Sequence, residues 1–180
     1  MLAPLEQALW SLGRWLVQTD LGLGILLVVG ASMALSHVFA LLANRLSGKA
    51  ILLHLLLDAL MLSVAFLLCM TVDMVLLRLF ASRAVHPSAF LNGVAPCLLP
   101  ATLYVLAAAP YVGDLIAVLI WVLVHLNVLV FLHVGFQLPY SEALLLATPG
   151  YGLATVLVWL LFRQSWRSSY AALASHLTTP

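Results

Sequence analysis

The basic residues of this chain are confined to the gaps between long apolar runs. All 7 lysines and arginines lie outside, or at the very ends of, the stretches 21–43, 50–77, 88–109, 114–134 and 141–162. A helix crossing a bilayer needs about 20 mainly apolar residues, and each stretch meets that length. Only 7% of the residues are charged, where a soluble domain keeps roughly a quarter charged to face water. A buried core does not account for so large a shortfall; an apolar solvent does. The pattern predicts an all-α, polytopic transmembrane bundle of about five spans, built as a single domain over 1–180.

Turn residues and charges mark the span ends. Asn44-Arg45 and Ser47-Gly48-Lys49 close the first stretch, Arg78 and Arg83 the second, Pro110 the third, and Arg163 and Arg167 the last. The third stretch contains Pro96 and Pro100. Each removes a backbone donor and clashes with the preceding turn, so this segment is expected to be either kinked or re-entrant. Residues 1–20 carry Leu2, Leu5, Leu9, Leu12 and Leu16 at helical spacing, with Trp10, Arg14 and Trp15 among them. That combination suits a short interfacial helix, the alternative being an unstructured tail. Glu6 and Asp20 in this leading segment fit a cleaved signal peptide poorly. Helical spans with short loops favour a cell inner or plasma membrane and exclude an outer-membrane barrel. Counting positive charges marginally favours a cytoplasmic C-terminus.

A net charge of +1 without a Lys/Arg cluster excludes a nucleic-acid partner, which requires a concentrated basic surface. The expected partners are the lipid bilayer and other membrane proteins, or further copies of the chain. Cys69 and Cys97 both lie in apolar runs and read as small buried hydrophobes, not as a disulfide. Phosphate loops, dinucleotide glycine fingerprints and nucleophile elbows are absent from the sequence, so no enzymatic activity is expected.

Ionisable groups at bilayer depth cost several kcal/mol unless paired or hydrated, so each needs an account. His37 lies one to two turns before Asn44; His54 and Asp58 follow Lys49 on one helix face; His125 is about three turns into the fourth span. With alternating spans, His37, His54, Asp58 and His125 share one half of the bilayer. They form a candidate polar cluster for relaying protons, holding a cation or binding a substrate. In the plainer alternative Asp58 pairs with one histidine, or is protonated, and fixes helix register. Asp73 and His133 match in depth near the opposite surface and are expected to reach water. Histidines on facing spans also admit haem, but no further ligation signature accompanies them, and the cysteines lack zinc-site spacing. No cofactor or metal is expected.

Two short motifs invite interpretation. Thr148-Pro149-Gly150-Tyr151-Gly152 looks superficially like a potassium-filter loop, but it sits inside a full span without the re-entrant context a filter needs. Pro149-Gly150 is read as a kink. Gly30, Ser32, Ala34, Ser36 and Ala40 place small residues four apart on adjacent rows of the first span, a surface that lets helix backbones approach closely.

The stretch from Phe90 to Phe162 resembles the second half of the YIP family, the Ypt/Rab-interacting five-span proteins and their bacterial relatives. The likeness lies in Phe90-Leu-Asn-Gly-Val-Ala-Pro-Cys-Leu-Leu-Pro, the Ala-Pro-Tyr-Val-Gly turn at 109–113, a span with Trp121, and Gly135-Phe-Gln-Leu-Pro-Tyr-Ser-Glu-Ala-Leu before the last span. The resemblance implies a compact five-span fold with a cytoplasmic N-terminus, opposite to the marginal charge count. The family's Asp-Leu-Tyr-Gly-Pro segment is missing from this sequence, so a small-GTPase role does not follow, and no site residue transfers. The inventory as a whole points to a membrane scaffold or accessory protein packing with other membrane proteins or lipid. The alternative is a small proton- or ion-coupled transporter component using the Asp/His cluster, with Pro96, Pro100 and Pro149 supplying broken helices.

Overall fold

The computed structural model describes residues 22–43, 45–81, 85–109 and 111–178, the last helix beyond residue 161 as backbone alone. Among these residues the chain is helical throughout, without strands. The helices are α1 (Gly22–Leu35), α2 (Val38–Ala43), α3 (Gly48–Phe80), α4 (Pro87–Val94), a 3₁₀ segment (Ala95–Ala108), α5 (Gly113–Phe136) and α6 (Tyr140–Thr178). Four helical stretches are long and apolar enough to cross a membrane, and α1 adds a shorter apolar one. No more than 33% of any long span is buried inside the bundle. The remainder exposes side chains such as Leu52, Leu56, Leu60, Leu115 and Leu145, an apolar area that only a lipid solvent accommodates. The interfacial helix expected over 1–20 lies outside the described residues.

Neighbour relations close a ring. α3 packs on α1, α1 on the 3₁₀ segment, that segment on α5, α5 on α6, and α6 back on α3. Each inward stripe follows its own helical period. On α3 the buried positions are Leu62, Phe66, Cys69, Met70, Asp73 and Leu77, a three-to-four residue spacing. On the 3₁₀ segment they are Ala95, Leu98 and Ala101, three apart because three residues complete a 3₁₀ turn.

The first span is not one continuous helix from 21 to 43. It breaks at Ser36–His37, where the Ser36 and His37 amides bond the Met33 and Ala34 carbonyls at 3.2 and 3.0 Å. The Ser36 hydroxyl also donates to Met33 O at 2.6 Å, a side-chain bond that competes with the helical ladder. The third span is helical along its whole length: α4 continues into 14 residues of 3₁₀ helix, and the 22 residues together are long and apolar enough to cross a membrane.

Proline explains how that segment is held. In a 3₁₀ helix the residue three positions on donates to each carbonyl. For Cys97 O that residue is Pro100, which has no N–H. Asn127 of α5 supplies the missing donor, its Nδ2 lying 3.3 Å from Cys97 O. Ser32 of α1 donates to Thr102 O at 2.5 Å. Replacing Asn127 by Leu should therefore cost about 1 kcal/mol of stability, the usual worth of one such bond. Chemical denaturation in detergent reads this; an unchanged midpoint would remove Asn127 as the clamp.

Part of the small-residue row of the first span is used inside the molecule. Gly30, Ser32 and Ala34 are all buried, and the Ser63 hydroxyl of α3, within reach of Ala59 O on its own helix at 2.7 Å, donates across the contact to Leu26 O at 3.0 Å. The last span carries a second row that faces inward as well: Ala143, Ala147, Gly150 and Ala154 are buried at helical spacing. This row admits the α3 side chains that define the interior.

Candidate functional site: a polar cavity at mid-depth

The four residues singled out by depth do not meet at one place. His54 is exposed on α3, and Asp58, half-buried one turn later, interacts electrostatically with it. The two form a local pair along one helix. His37 is buried in the turn that breaks the first span. His125 lies halfway along α5, in a separate cavity from His37. Among the described residues no three His, Cys, Asp or Glu side chains converge closely enough to hold a metal ion.

His133 and Asp73 also part company. His133 stacks on Tyr140, ring centres 3.8 Å apart, and its Nδ1 lies 2.6 Å from Leu138 O. A carbonyl only accepts, so Nδ1 carries the proton and donates. This bond pins the tight turn between α5 and α6. Asp73 does not reach water. It is 5% exposed and occupies the inward stripe of α3 between Met70 and Leu77.

The cavity facing Asp73 is about 30 Å³, the volume one water occupies. Its walls are Phe66, Cys69 and Met70 of α3, Val94 and Leu98 of the third span, Trp121, Val124 and His125 of α5, and Ala147, Gly150 and Tyr151 of α6. Two polar atoms stand out against this apolar lining. Asp73 Oδ1 and His125 Nδ1 are buried without a hydrogen-bond partner among the described residues. Buried polar groups are nearly always satisfied, and an unpaired one is costly. Two around one cavity argue that it exists for something polar.

Local sequence explains why the carboxylate fits. Its atoms fill the space that a β-carbon on Gly150 would take. Pro149 precedes that glycine and removes one donor from the α6 ladder. The small residue at this point of α6 thus receives the one carboxylate on the inward stripe of α3. The arrangement makes a thermodynamic prediction. Gly150→Ala should destabilise the protein by about 2 kcal/mol through overpacking, and adding Asp73→Ala should recover at least about 1 kcal/mol of it. Additive effects in a denaturation cycle would separate the two residues.

An aromatic file runs from this cavity toward one end of the bundle. His125 packs on Tyr151 at 4.4 Å, Tyr151 on Trp121 at 5.9 Å, and Trp121 on Phe66 at 6.1 Å. Trp121 also lines a vestibule of about 810 Å³, bordered by Ser36, His37, Tyr104, Asp114 and Trp159. This vestibule lies at the end of the bundle that carries the Gly113 start of α5 and the Ala108 end of the 3₁₀ segment. At the other end a cavity of about 350 Å³ is bordered by Phe80, Glu142, Leu146 and Pro149. Successive turns of α6 line the three spaces in order: 142–149, then 147–154, then 155–159.

Depth reasoning singled out His125 but passed over Asp73, Trp121, Gly150 and Tyr151 as a group. A signal for them was present in the sequence. Asp73 falls on the same helical stripe as Phe66, Met70 and Leu77, and Ala143, Ala147, Gly150 and Ala154 repeat a small-residue spacing. The chain matches no protein-family model, no curated protein and no solved structure.

Proposed function

We propose that this membrane protein transfers protons, alone or coupled to a small solute, through the cavity between Asp73 and His125. The observation that carries the reading is the pair of unpartnered buried polar atoms, a carboxylate oxygen and an imidazole nitrogen, lining one water-sized space. Intramembrane ionisable residues that face a bundle interior characteristically mark ion or substrate pathways. A carboxylate takes up and releases a proton by forming and breaking one O–H bond, and an imidazole does the same at nitrogen. A proton arriving past Trp121 reaches His125 first, passes through the cavity to Asp73, and leaves toward the Glu142 side. The reverse path is equally open.

Three features of the backbone favour movement around this site. The first span is broken at Ser36–His37, the third runs as 3₁₀ helix, and the last contains Pro149. Discontinuous helices beside a mid-membrane site are typical of carriers, and long 3₁₀ stretches often mark hinges. The scaffold reading keeps the small mass outside the spans as support but loses part of its small-residue surface, because Gly30, Ser32 and Ala34 of α1 are buried within one chain. The resemblance to YIP proteins stands as a proposal about relationship and adds no residue to the site. Short connections between helical spans fit residence in an inner or plasma membrane.

The test is reconstitution. Purified protein in liposomes enclosing a pH-sensitive dye should dissipate an imposed proton gradient faster than protein-free liposomes do. Identical rates, with and without candidate solutes on the vestibule side, would end the proposal.

A further inference from the structure

The vestibule has a chemistry distinct from the cavity beneath it. Among the described residues its walls combine the rings of Phe39, Tyr104, Trp121 and Trp159 with one carboxylate, Asp114, and include neither Lys nor Arg. Arg45 and Lys49 stand at the same end of the bundle without lining it. Tyr104 and Trp121 line the space together, and the Asp114 carboxylate acts on Tyr104 electrostatically. Asp114 sits in the first turn of α5 and is exposed, so its charge faces the open space. The break at Ser36–His37 adds a hydroxyl and an imidazole to the rim.

Aromatic faces carry negative potential and attract cations held within about 6 Å of the ring centre. Aromatic rings beside a carboxylate favour a diffuse positive charge over an anion or a neutral solute. Strongly hydrated metal ions are poorly served, since they require several oxygen ligands and the described residues offer no such group. At about 810 Å³ the space suits a small organic molecule.

We propose that the vestibule binds an organic cation, an alkylammonium or quaternary ammonium group, against Tyr104, Trp121 and Trp159 with Asp114 as the counter-charge. That this cation is the solute moved with protons rests on the proton-transfer reading above; its binding does not. The same ammonium chemistry occurs in free solutes and in zwitterionic lipid headgroups, and the position at one end of the bundle gives access to both.

Isothermal titration of the full chain in nanodiscs with choline tests this, with its neutral carbon isostere dimethylbutanol as comparison. Saturable choline binding is expected, weaker by about tenfold or more in Asp114→Asn and in Trp121→Leu, while the neutral isostere gives no saturable heat. Choline heat indistinguishable from buffer, equal binding of the isostere, or undiminished affinity in Asp114→Asn overturns the proposal. Asp114 is exposed, and Asn keeps its size, so folding is not at stake in that variant. Discs of phosphatidylcholine and of phosphatidylglycerol separate the two sources: weaker choline binding in the former assigns the site to a headgroup, equal binding to a free solute. A chain that binds choline yet carries no protons overturns the proton-transfer reading alone.

Discussion

Liposomes containing the Asp73→Asn protein will dissipate a proton gradient no faster than protein-free liposomes. Asn has the shape of Asp but neither takes up nor releases a proton in the accessible range. The expected loss is about 100-fold, the lower end of what a positioned proton-transfer group contributes. The Gly150 backbone leaves room for a side chain of this size, so helicity and detergent extraction should match wild type. Asp58→Asn is the informative companion. Asp58 pairs along α3 with exposed His54 and does not line the mid-depth cavity, so flux should be unchanged. Retained flux in Asp73→Asn, or its loss in Asp58→Asn, would shift the pathway to the outer face of α3 and reject the cavity.

Gly30→Val should be strongly destabilising. A β-carbon at position 30 overlaps the Ala59 carbonyl oxygen and lies 2.7 Å from Ser63 Oγ. The obstacle is backbone, which yields only if α1 and α3 move apart. That movement also breaks the Ser63 bond to Leu26 O, now 3.0 Å. Overpacking of a tight core costs about 1–3 kcal/mol, and an interhelical hydroxyl bond in a membrane averages about 0.6 kcal/mol. Together they predict a loss of about 3 kcal/mol, with Gly30→Ala intermediate and Ser63→Ala well below 1 kcal/mol. Unfolding titrations with a denaturing detergent give the order directly. A Gly30→Val midpoint within about 0.5 kcal/mol of wild type, the scale of a neutral surface change, would show that α1 does not rest on α3.

Much of the fold could be read residue by residue. The long apolar stretches and the charged gaps at Arg45–Lys49 and Arg78 correspond to helices and their ends because partition into lipid accumulates along a segment. Segment ends drifted by a few residues: the second span runs Gly48–Phe80 where 50–77 was expected, and the last helix continues to Thr178 past Phe162. Local chemistry was less legible. The Ser36–His37 break depends on one hydroxyl turning back to Met33 O, which the same residues do not do in every helix. The third span runs as 3₁₀ helix through Pro100, and Asn127, 30 residues away, satisfies the carbonyl that Pro100 leaves open.

The amino-acid sequence by itself determined the apolar solvent and the helical class, because each follows from composition and spacing along one segment. Only the tertiary structure decided which faces meet. Depth leaves the rotation of a helix about its axis undefined, and that rotation turns Asp58 toward the flank of α3 while Asp73 faces Gly150. It also sends His37 and His125 to different cavities and directs His133 to the Leu138 turn. A ring of helices closes around Asp73 because Ala143, Ala147, Gly150 and Ala154 give α6 a flat face. Close approach of two backbones is a property of the pair, which neither helix carries alone.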